Sequence, residues 1–227
     1  IVILAALINA SRVTKKPFHN LKVVVNGAGA AGNAIAHLLV CSDASVNNCQ
    51  SVQEVIVCDS RGILHRARKD LDPYKKELVG LTNKKNVRGT LTDALKDADV
   101  FIGVSVANVL TEDMIKRMNK NPIIFALANP TPEIMPEKAK KAGAIIVATG
   151  RSDFPNQVNN ALAYPGVFRG ILDSGAKHMT TTMKLNAAYA LAHTLKNPKK
   201  DKILPNIFEK NIVKNIANAI KKSYRNE

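Results

Sequence analysis

A chain of 227 residues with 46% hydrophobic residues is long enough for one large or two small domains with a well-buried core. It has no uninterrupted apolar run near the roughly 20 residues that cross a bilayer, which excludes a membrane-spanning helix. The formal charge of +15 suggests a nucleic-acid partner, but the lysines are scattered and aromatic residues make up only 4% of the chain. A positive field would equally attract small anions, and an acidic segment elsewhere could also balance it.

Strand-like and helix-like segments alternate over the first 150 residues. Apolar residues at helical spacing predict an opening helix over 1–13. Short apolar runs then predict five buried strands, at 21–26, 54–59, 100–104, 122–127 and 144–148. Helices are predicted between them at 32–40, 73–82, from 93, at 111–118 with Thr111 as N-cap, and at 136–142 with Gly143 as C-cap. This alternation is typical of an α/β domain whose mainly parallel sheet is covered by helices on both faces.

After residue 150 the strand pattern stops, and long helices are predicted at 179–195 and 212–223. The whole of 1–227 is therefore expected to form one domain, with a leading helix in 1–16 and C-terminal helices in 179–227. The polar segment 42–51 is predicted to be a mobile surface loop. Because no Met precedes Ile1, we expect the chain to begin inside a larger fold.

The three cysteines, Cys41, Cys49 and Cys58, form neither a C-x-x-C pair nor a disulfide framework. Cys58 lies in an apolar run and is expected to be a small core side chain. Such cysteine usage is typical of a reducing compartment, so we expect a cytoplasmic protein, although an organelle matrix would give the same pattern.

A glycine-rich segment joins the first predicted strand to the helix that follows it. Residues 27–32 match G-x-G-x-x-G between a strand and a helix, which is the context the motif requires. Gly27 permits a tight turn, Gly29 lets the backbone approach a pyrophosphate, and Gly32 lets helix and strand pack closely. The free N–H groups at the start of the helix would then bind phosphate oxygens. The motif predicts a Rossmann-type, doubly wound dinucleotide-binding domain.

An acidic residue ends the second predicted strand, where such domains bind the adenosine ribose. Asp59 lies roughly thirty residues beyond the start of the motif, against about twenty in typical cases, and the insertion at 42–51 accounts for the difference. Asp59 favours NAD, because a carboxylate repels the 2′-phosphate of NADP. Arg61 could pair with that phosphate, so NADP stays possible.

Amide side chains follow the later strands. Asn129 comes at the carboxyl end of a predicted parallel strand, where it could bind a nicotinamide carboxamide or a substrate hydroxyl. The segment 149–160 concentrates amides where the alternation of strand and helix ends. In both cases the alternative is a turn or loop that satisfies its own backbone.

Taken together, these segments resemble the C-terminal cofactor domain of NAD(P)-dependent malic enzymes of the short bacterial type. The resemblance is carried by 27–32, 59–62, 102–105, 125–132 and 149–170, in that order, and extends over essentially the whole chain. That family oxidises malate with NAD(P) and decarboxylates the product to pyruvate. The expected cofactor contacts are Gly27, Gly29, Ala30, Ala31, Gly32, Asp59, Ser60, Arg61, Ser105, Asn129 and Asn159, and the expected substrate contacts are Asn129 and Asn160.

The resemblance also implies groups that these residues do not supply. The family's catalytic Tyr and Lys and its ligands for Mg²⁺ or Mn²⁺ lie upstream, so we assign no catalytic or metal-binding residue here. The acidic pairs Asp70/Asp72 and Asp97/Asp99 are expected to be exposed loop carboxylates. Residues 180–182 are threonines where relatives carry one or two acids.

We therefore expect a truncated malate oxidoreductase: a dinucleotide-binding half, inactive alone and homo-oligomeric by resemblance. Three alternatives stay open. One is a catalytically dead NAD(P)-binding or regulatory module. Another is a different amino- or hydroxy-acid dehydrogenase, which would explain the glycines but not the amide-rich loop. The third is a nucleic-acid binder that uses the basic surface.

Overall fold

The computed structural model describes residues 1–43, 46 and 49–225. The predicted loop at 42–51 lies partly outside these residues, so its mobility stays a prediction. In the described part of the chain, six strands form a sheet in the order β3-β2-β1-β4-β5-β6. The strands are β1 (Lys22–Asn26), β2 (Glu54–Asp59), β3 (Gly62–Ile63), β4 (Val100–Gly103), β5 (Ile123–Ala126) and β6 (Ile146–Thr149).

The pairing of the strands confirms the predicted fold class. All neighbours pair in parallel except β3, which is antiparallel to β2. The short β3 is absent from the sequence prediction because two residues carry no periodicity. Strands β2 and β4 lie on opposite sides of β1, so the order reverses there. In an open α/β sheet, such a reversal opens a crevice at the carboxyl ends of the strands.

Helices cover both faces of the sheet, as the apolar strands predict. Val23 and Val25 of β1 belong to one core and Val24 to the other. The first core includes residues of the helices Val2–Thr14, Ala30–Val40 and Thr181–Thr194, and the second includes residues of the helices Leu91–Leu95, Glu112–Lys116 and Pro136–Lys141. The helices are α1 (Val2–Thr14), α2 (Ala30–Val40), α3 (Pro73–Leu81), α4 (Leu91–Leu95), α5 (Glu112–Lys116), α6 (Pro136–Lys141), α7 (Tyr164–Ser174), α8 (Thr181–Thr194) and α9 (Ile212–Arg225).

Thr111 is the N-cap of α5 as predicted, whereas Ala142 is the C-cap of α6 and the predicted Gly143 comes one residue later. The Thr111 hydroxyl accepts a hydrogen bond from Met114 N at 3.3 Å and caps α5. Gly143 follows α6 with φ +107°, a conformation that favours glycine, and its N–H donates to the carbonyl of Lys140. Helix α2 begins at Ala30, two residues earlier than predicted.

Two predictions about side chains are wrong. Cys41 and Cys49 form a disulfide with their Cα atoms 5.9 Å apart, which removes the cysteine argument for a reducing compartment. Asp99 is buried rather than exposed, because its carboxylate pairs with Lys16 Nζ at 2.7 Å and accepts from Lys22 N at 3.0 Å. Cys58 is free and buried as predicted, and burial raises the pKa of its thiol to about 12.

Within the described residues, no helix combines the length and apolarity needed to cross a membrane.

Helix α7 is missing from the sequence prediction because two glycines and Pro165 lower the helix propensity of 164–174. Its buried face carries Gly166 and Gly170, and α9 lies directly against them. A Cβ on Gly170 would be 2.8 Å from Cβ of Ile220 and 3.0 Å from Cα of Ala217, so only glycine allows this approach. Three large apolar residues of α7 are exposed: Tyr164, Phe168 and Leu172.

The contact between α7 and α9 predicts opposite effects for two glycine substitutions. Gly170→Ala should lower the free energy of unfolding by about 1–2 kcal/mol, because crowding of α9 outweighs the gain in helix propensity. Gly80→Ala in α3, where a Cβ would meet nothing within 4 Å, should raise it by roughly 0.5–1 kcal/mol. Urea denaturation of both variants measures the difference, and equal effects would contradict the packing described for α7.

Candidate functional site

Two glycines fix the turn between β1 and α2. Gly27 has φ +124°, and a Cβ there would lie 2.6 Å from the carbonyl oxygen of Val104. Gly32 is buried in the first turn of α2, and a Cβ there would collide with the carbonyl oxygen of Gly27. Backbone therefore packs against backbone at both positions, which holds the start of α2 close to β1 and to the end of β4.

The third glycine of the motif faces open space. Gly29 is the N-cap of α2 with an extended backbone (φ −82°, ψ −168°), and a Cβ there would meet nothing within 4 Å. No side chain caps the helix, and Ala30 and Ala31 are exposed. The N–H groups in the first turn of any α-helix lack acceptors within that helix, and the helix dipole makes this end positive. The start of α2 is therefore open to an anion.

A cleft of about 730 Å³ lies in front of this turn, at the switch point of the sheet. This volume is within the usual range for small-molecule sites. Its lining includes six of the predicted contacts: Gly27, Gly29, Asp59, Ser60, Arg61 and Ser105. Ala30, Ala31, Gly32, Asn129, Asn159 and Asn160 are not among the residues that line it.

Asp59 accepts hydrogen bonds from four donors. Its Oδ1 accepts from Arg61 N at 2.9 Å and from Arg68 Nη1 at 2.8 Å. Its Oδ2 accepts from Arg68 Nη2 at 3.0 Å and from Lys75 Nζ at 3.1 Å. Burial raises the pKa of Asp59, but these donors outweigh burial and hold the pKa below its usual value. Since a carboxylate offers about four acceptor positions, a ribose hydroxyl would have to displace one of these donors.

Arg68 connects Asp59 to a second carboxylate. Its guanidinium also donates to Asp70, with Nη2–Oδ2 at 2.6 Å and Nε–Oδ1 at 3.0 Å. The side chain of Arg68 is only 9% exposed, and Arg61 Nη1 lies 3.1 Å from the same Asp70 carboxylate. Asp70 is therefore not an isolated loop carboxylate, because it helps to position the cations around Asp59.

Ser105 is held by a residue that the sequence analysis missed. Asn26, at the carboxyl end of β1, donates from Nδ2 to Ser105 Oγ at 2.8 Å, and both residues line the cleft. The rule that polar residues at strand ends bind ligands singled out Asp59 and Asn129, and it could have found Asn26 too. Arg68 and Lys75 had no such signal, because they reach the site from the segment after β3 and from α3.

The predicted amides lie together at the far edge of the sheet. A Cβ on Gly150, just after β6, would be 3.1 Å from Nδ2 of Asn129, so Asn129 lies beside the end of β6. Val158 N donates to Thr149 O at 2.8 Å, which places the exposed Asn160 and its neighbour Asn159 at the same edge.

Two amides of the segment 149–160 are bonded to backbone groups instead. Asn159 Oδ1 accepts from Ala161 N at 2.9 Å and caps a 3-10 turn, although its side chain is partly exposed. Asn156 is buried and bonded to the backbone of Val147, Lys200 and Ile203. Asn156 therefore links this segment to β6 and to residues 200–203 rather than to the segment's own backbone.

The described residues contain no group of three or more His, Cys, Asp or Glu side chains arranged to hold a metal ion. Two of the described acidic residues line the cleft: Asp59, which is paired with Arg68 and Lys75, and Asp72, whose Oδ1 accepts a hydrogen bond from Lys75 N. These residues do not fit a divalent metal ion.

Comparison with known proteins identifies the family. The family described as the malic enzyme NAD-binding domain matches residues 1–224. This chain belongs to that family. The family match confirms the resemblance to malic enzymes and the predicted fold class. The alternative of an unrelated amino- or hydroxy-acid dehydrogenase is thereby excluded.

Individual relatives agree with this assignment. The bifunctional malic/malolactic enzyme of Bacillus subtilis (strain 168) is 46% identical over 226 residues, which are 98% of this chain and 53% of that protein. The NADP-dependent malic enzyme of Haemophilus influenzae is 44% identical over 194 residues, 85% of this chain and 24% of that protein. The crystal structure of the NAD-dependent malic enzyme of Thermotoga maritima superposes with a TM-score of 0.90 and 43% identity, covering 97% of this chain and 56% of that one. The chain thus spans about half of the first and third proteins and about a quarter of the second.

The donors around Asp59 predict a pH-dependent effect of Asp59→Asn. Because the pKa of Asp59 is lowered on folding, its contribution to stability is present above the unfolded pKa of about 3.9 and is lost as the pH falls through the lower folded value. At pH 7 the variant should be roughly 1–3 kcal/mol less stable than the parent, and the difference should shrink at acid pH. Urea denaturation across pH measures it.

Asp97→Asn, at an exposed position with φ +58°, is the matched control. A stability difference for Asp59→Asn that stays constant from pH 7 to pH 3 would contradict the ionic role of Asp59.

Proposed function

We propose that this chain is the dinucleotide-binding half of a malate oxidoreductase that converts malate to pyruvate with NAD(P). The observation that carries the proposal is the contrast among the three glycines of the turn. Gly27 and Gly32 have no room for a Cβ, whereas Gly29 faces open space at the start of α2. Structural packing explains the first two glycines, and the approach of a phosphate explains the third.

The two sides of the cleft suggest how the cofactor lies. The pyrophosphate would bind the N–H groups of Ala30, Ala31 and Gly32, with the adenosine half toward Asp59 beside β2. The nicotinamide half would then lie beside β4 and β5, near Ser105 and Asn129. When bound, the nicotinamide would supply the acceptor for the hydride of malate. The amides at the far edge, with Asn160 the most exposed, would orient malate against it without exchanging protons with the substrate.

The cofactor choice follows from the charges around Asp59. Asp59 alone would favour NAD, and we keep NAD as the expected cofactor. Its charge is compensated by Arg68 and Lys75, however, so a 2′-phosphate would not meet a free carboxylate. Lys75 and the 72% exposed Arg61 both line the cleft. We therefore propose that the cleft also accepts NADP, with Lys75 moving from Asp59 to the phosphate.

Three further expectations stand beside this proposal. Location in the cytoplasm and self-association stay predictions. The exposed side chains of α7 offer an apolar surface that a partner could cover. Nucleic acid is not expected as a partner, because the basic residues are scattered along the chain and aromatic residues make up only 4% of it.

Gly29→Thr should separate binding from folding. Threonine and glycine are similarly suited to the N-cap, so the melting temperature of the free protein should change by no more than about 1 °C. The new side chain would occupy the open space and accept a helix N–H, which should weaken NAD binding at least about tenfold. Isothermal titration calorimetry measures the affinity, with Gly80→Ala as control. Unchanged NAD affinity in Gly29→Thr would overturn the proposed phosphate site.

Lys75→Gln should change the preference between the two cofactors. Loss of one charge-assisted contact to the 2′-phosphate is expected to lower NADP affinity about tenfold while NAD affinity changes little. The neighbouring exposed Lys76→Gln is the control. Equal losses for NAD and NADP on titration would argue against a role of Lys75 in phosphate recognition.

The purified 227-residue chain should produce no NADH or NADPH when it is given malate and NAD or NADP, even with Mn²⁺. The family's general base and metal ligands are expected from sequence outside these residues, and hydride transfer from malate needs a base. The increase in absorbance of the reduced nicotinamide, NADH or NADPH, measures turnover. Mn²⁺-dependent NAD(P)H production by this chain would contradict the proposal that it is one half of the active unit.

A further inference from the structure

We propose that Glu133 is a positioning residue that sets the distance between the loop carrying Ser105 and the loop carrying Asn129. Through this spacing it determines how the nicotinamide half of the dinucleotide is held. The inference rests on the proposed function and adds a residue to which the sequence analysis assigned no role.

Glu133 is completely buried, although it lies in the loop between β5 and α6. Its Oε1 accepts a hydrogen bond from Ser105 N at 3.1 Å, and its Oε2 accepts one from Ala128 N at 3.0 Å. Ser105 follows β4 and Ala128 follows β5. A single carboxylate therefore bridges the loops that leave two neighbouring parallel strands.

The backbone and the space around Glu133 support the same bridge. Its carbonyl oxygen accepts from Leu110 N at 3.0 Å, and the carbonyl of Pro132 accepts from Asn108 N at 3.2 Å. A Cβ on Gly103 would collide with the Glu133 carboxylate, with Cγ only 2.8 Å away. Because Gly103 has no side chain, the Glu133 carboxylate has room to reach Ser105 N.

The chemistry of the bridge requires a carboxylate. No Lys, Arg or His of the described residues forms an ion pair with Glu133, so its burial is costly and is offset by the backbone donors. Both of its contacts are to N–H groups, and each needs an acceptor. A glutamine has the same shape but only one oxygen, so its NH₂ group would face an N–H donor and one of the two loops would be released.

The position of the bridge predicts which part of the cofactor is affected. In a doubly wound sheet the two halves of a dinucleotide bind on either side of the strand-order reversal. Asp59 lies on the β2 side, whereas Ser105 and Asn129 follow β4 and β5 on the other side. The Glu133 carboxylate bonds to Ser105 and to Ala128, the residue before Asn129, so its loss should weaken the hold on the nicotinamide half and spare the adenosine half.

The test compares NAD with ADP-ribose, which lacks the nicotinamide ring, in calorimetric titrations of the 227-residue chain. The parent chain should bind NAD more tightly than ADP-ribose. Glu133→Gln should reduce that ratio about tenfold while ADP-ribose affinity stays within about twofold of the parent. A purely structural role would lower both affinities together, so the ratio separates positioning from folding. Glu137→Gln, at an exposed position in α6, should leave both affinities unchanged.

Should Glu133→Gln fail to fold, Gly103→Ala displaces the same carboxylate and should lower the same ratio. An unchanged ratio in the folded variant would overturn the positioning role, as would equal binding of NAD and ADP-ribose by the parent. A parent chain that binds neither ligand would instead overturn the proposed function, and the inference with it.

Discussion

The contact of backbone with backbone at Gly27 is the constraint on which the rest of the site depends. The carbonyl of Val104, at the end of β4, lies where a Cβ of residue 27 would be, and the carbonyl of Gly27 lies where a Cβ of residue 32 would be. These two approaches bring β1, β4 and the start of α2 together at the point where the strand order reverses. Any larger residue at either glycine would move α2 away from the crevice and separate its free N–H groups from the residues on β2 and β4.

Much of the fold follows from local patterns. The five longer strands could be predicted because each is a short apolar run, and their burial on both faces requires a parallel sheet between helices. Helix α7 could not be predicted in the same way. Its contact with α9 is made at Gly166 and Gly170, which carry no hydrophobic signal, while Tyr164, Phe168 and Leu172 are exposed. Its position depends on α9, which is more than forty residues later in the chain and whose proximity no local pattern shows.

In the candidate site, too, some residues could be predicted from local sequence and others could not. Four of the expected cofactor contacts, Gly27, Gly29, Asp59 and Ser105, line one cleft, because a motif and the ends of parallel strands define their positions. The partners of Asp59 could not be predicted, since Arg68 and Lys75 arrive from separate segments. They give Asp59 a further role, because its carboxylate orients Arg68 and Lys75 in addition to the ribose contact that we propose. Glu133 is a similar case, since its importance lies in two N–H groups that only the fold brings within its reach.

The central claim is that a dinucleotide places its pyrophosphate at the start of α2. Backbone amide chemical shifts, recorded by ¹H–¹⁵N NMR while NAD is added, test it most directly. The account predicts that the largest shifts fall on the amides of residues 27–32, with smaller ones near Asp59 and Ser105. Saturable NAD binding that leaves the amides of 27–32 unperturbed, or no binding at millimolar NAD, would contradict it.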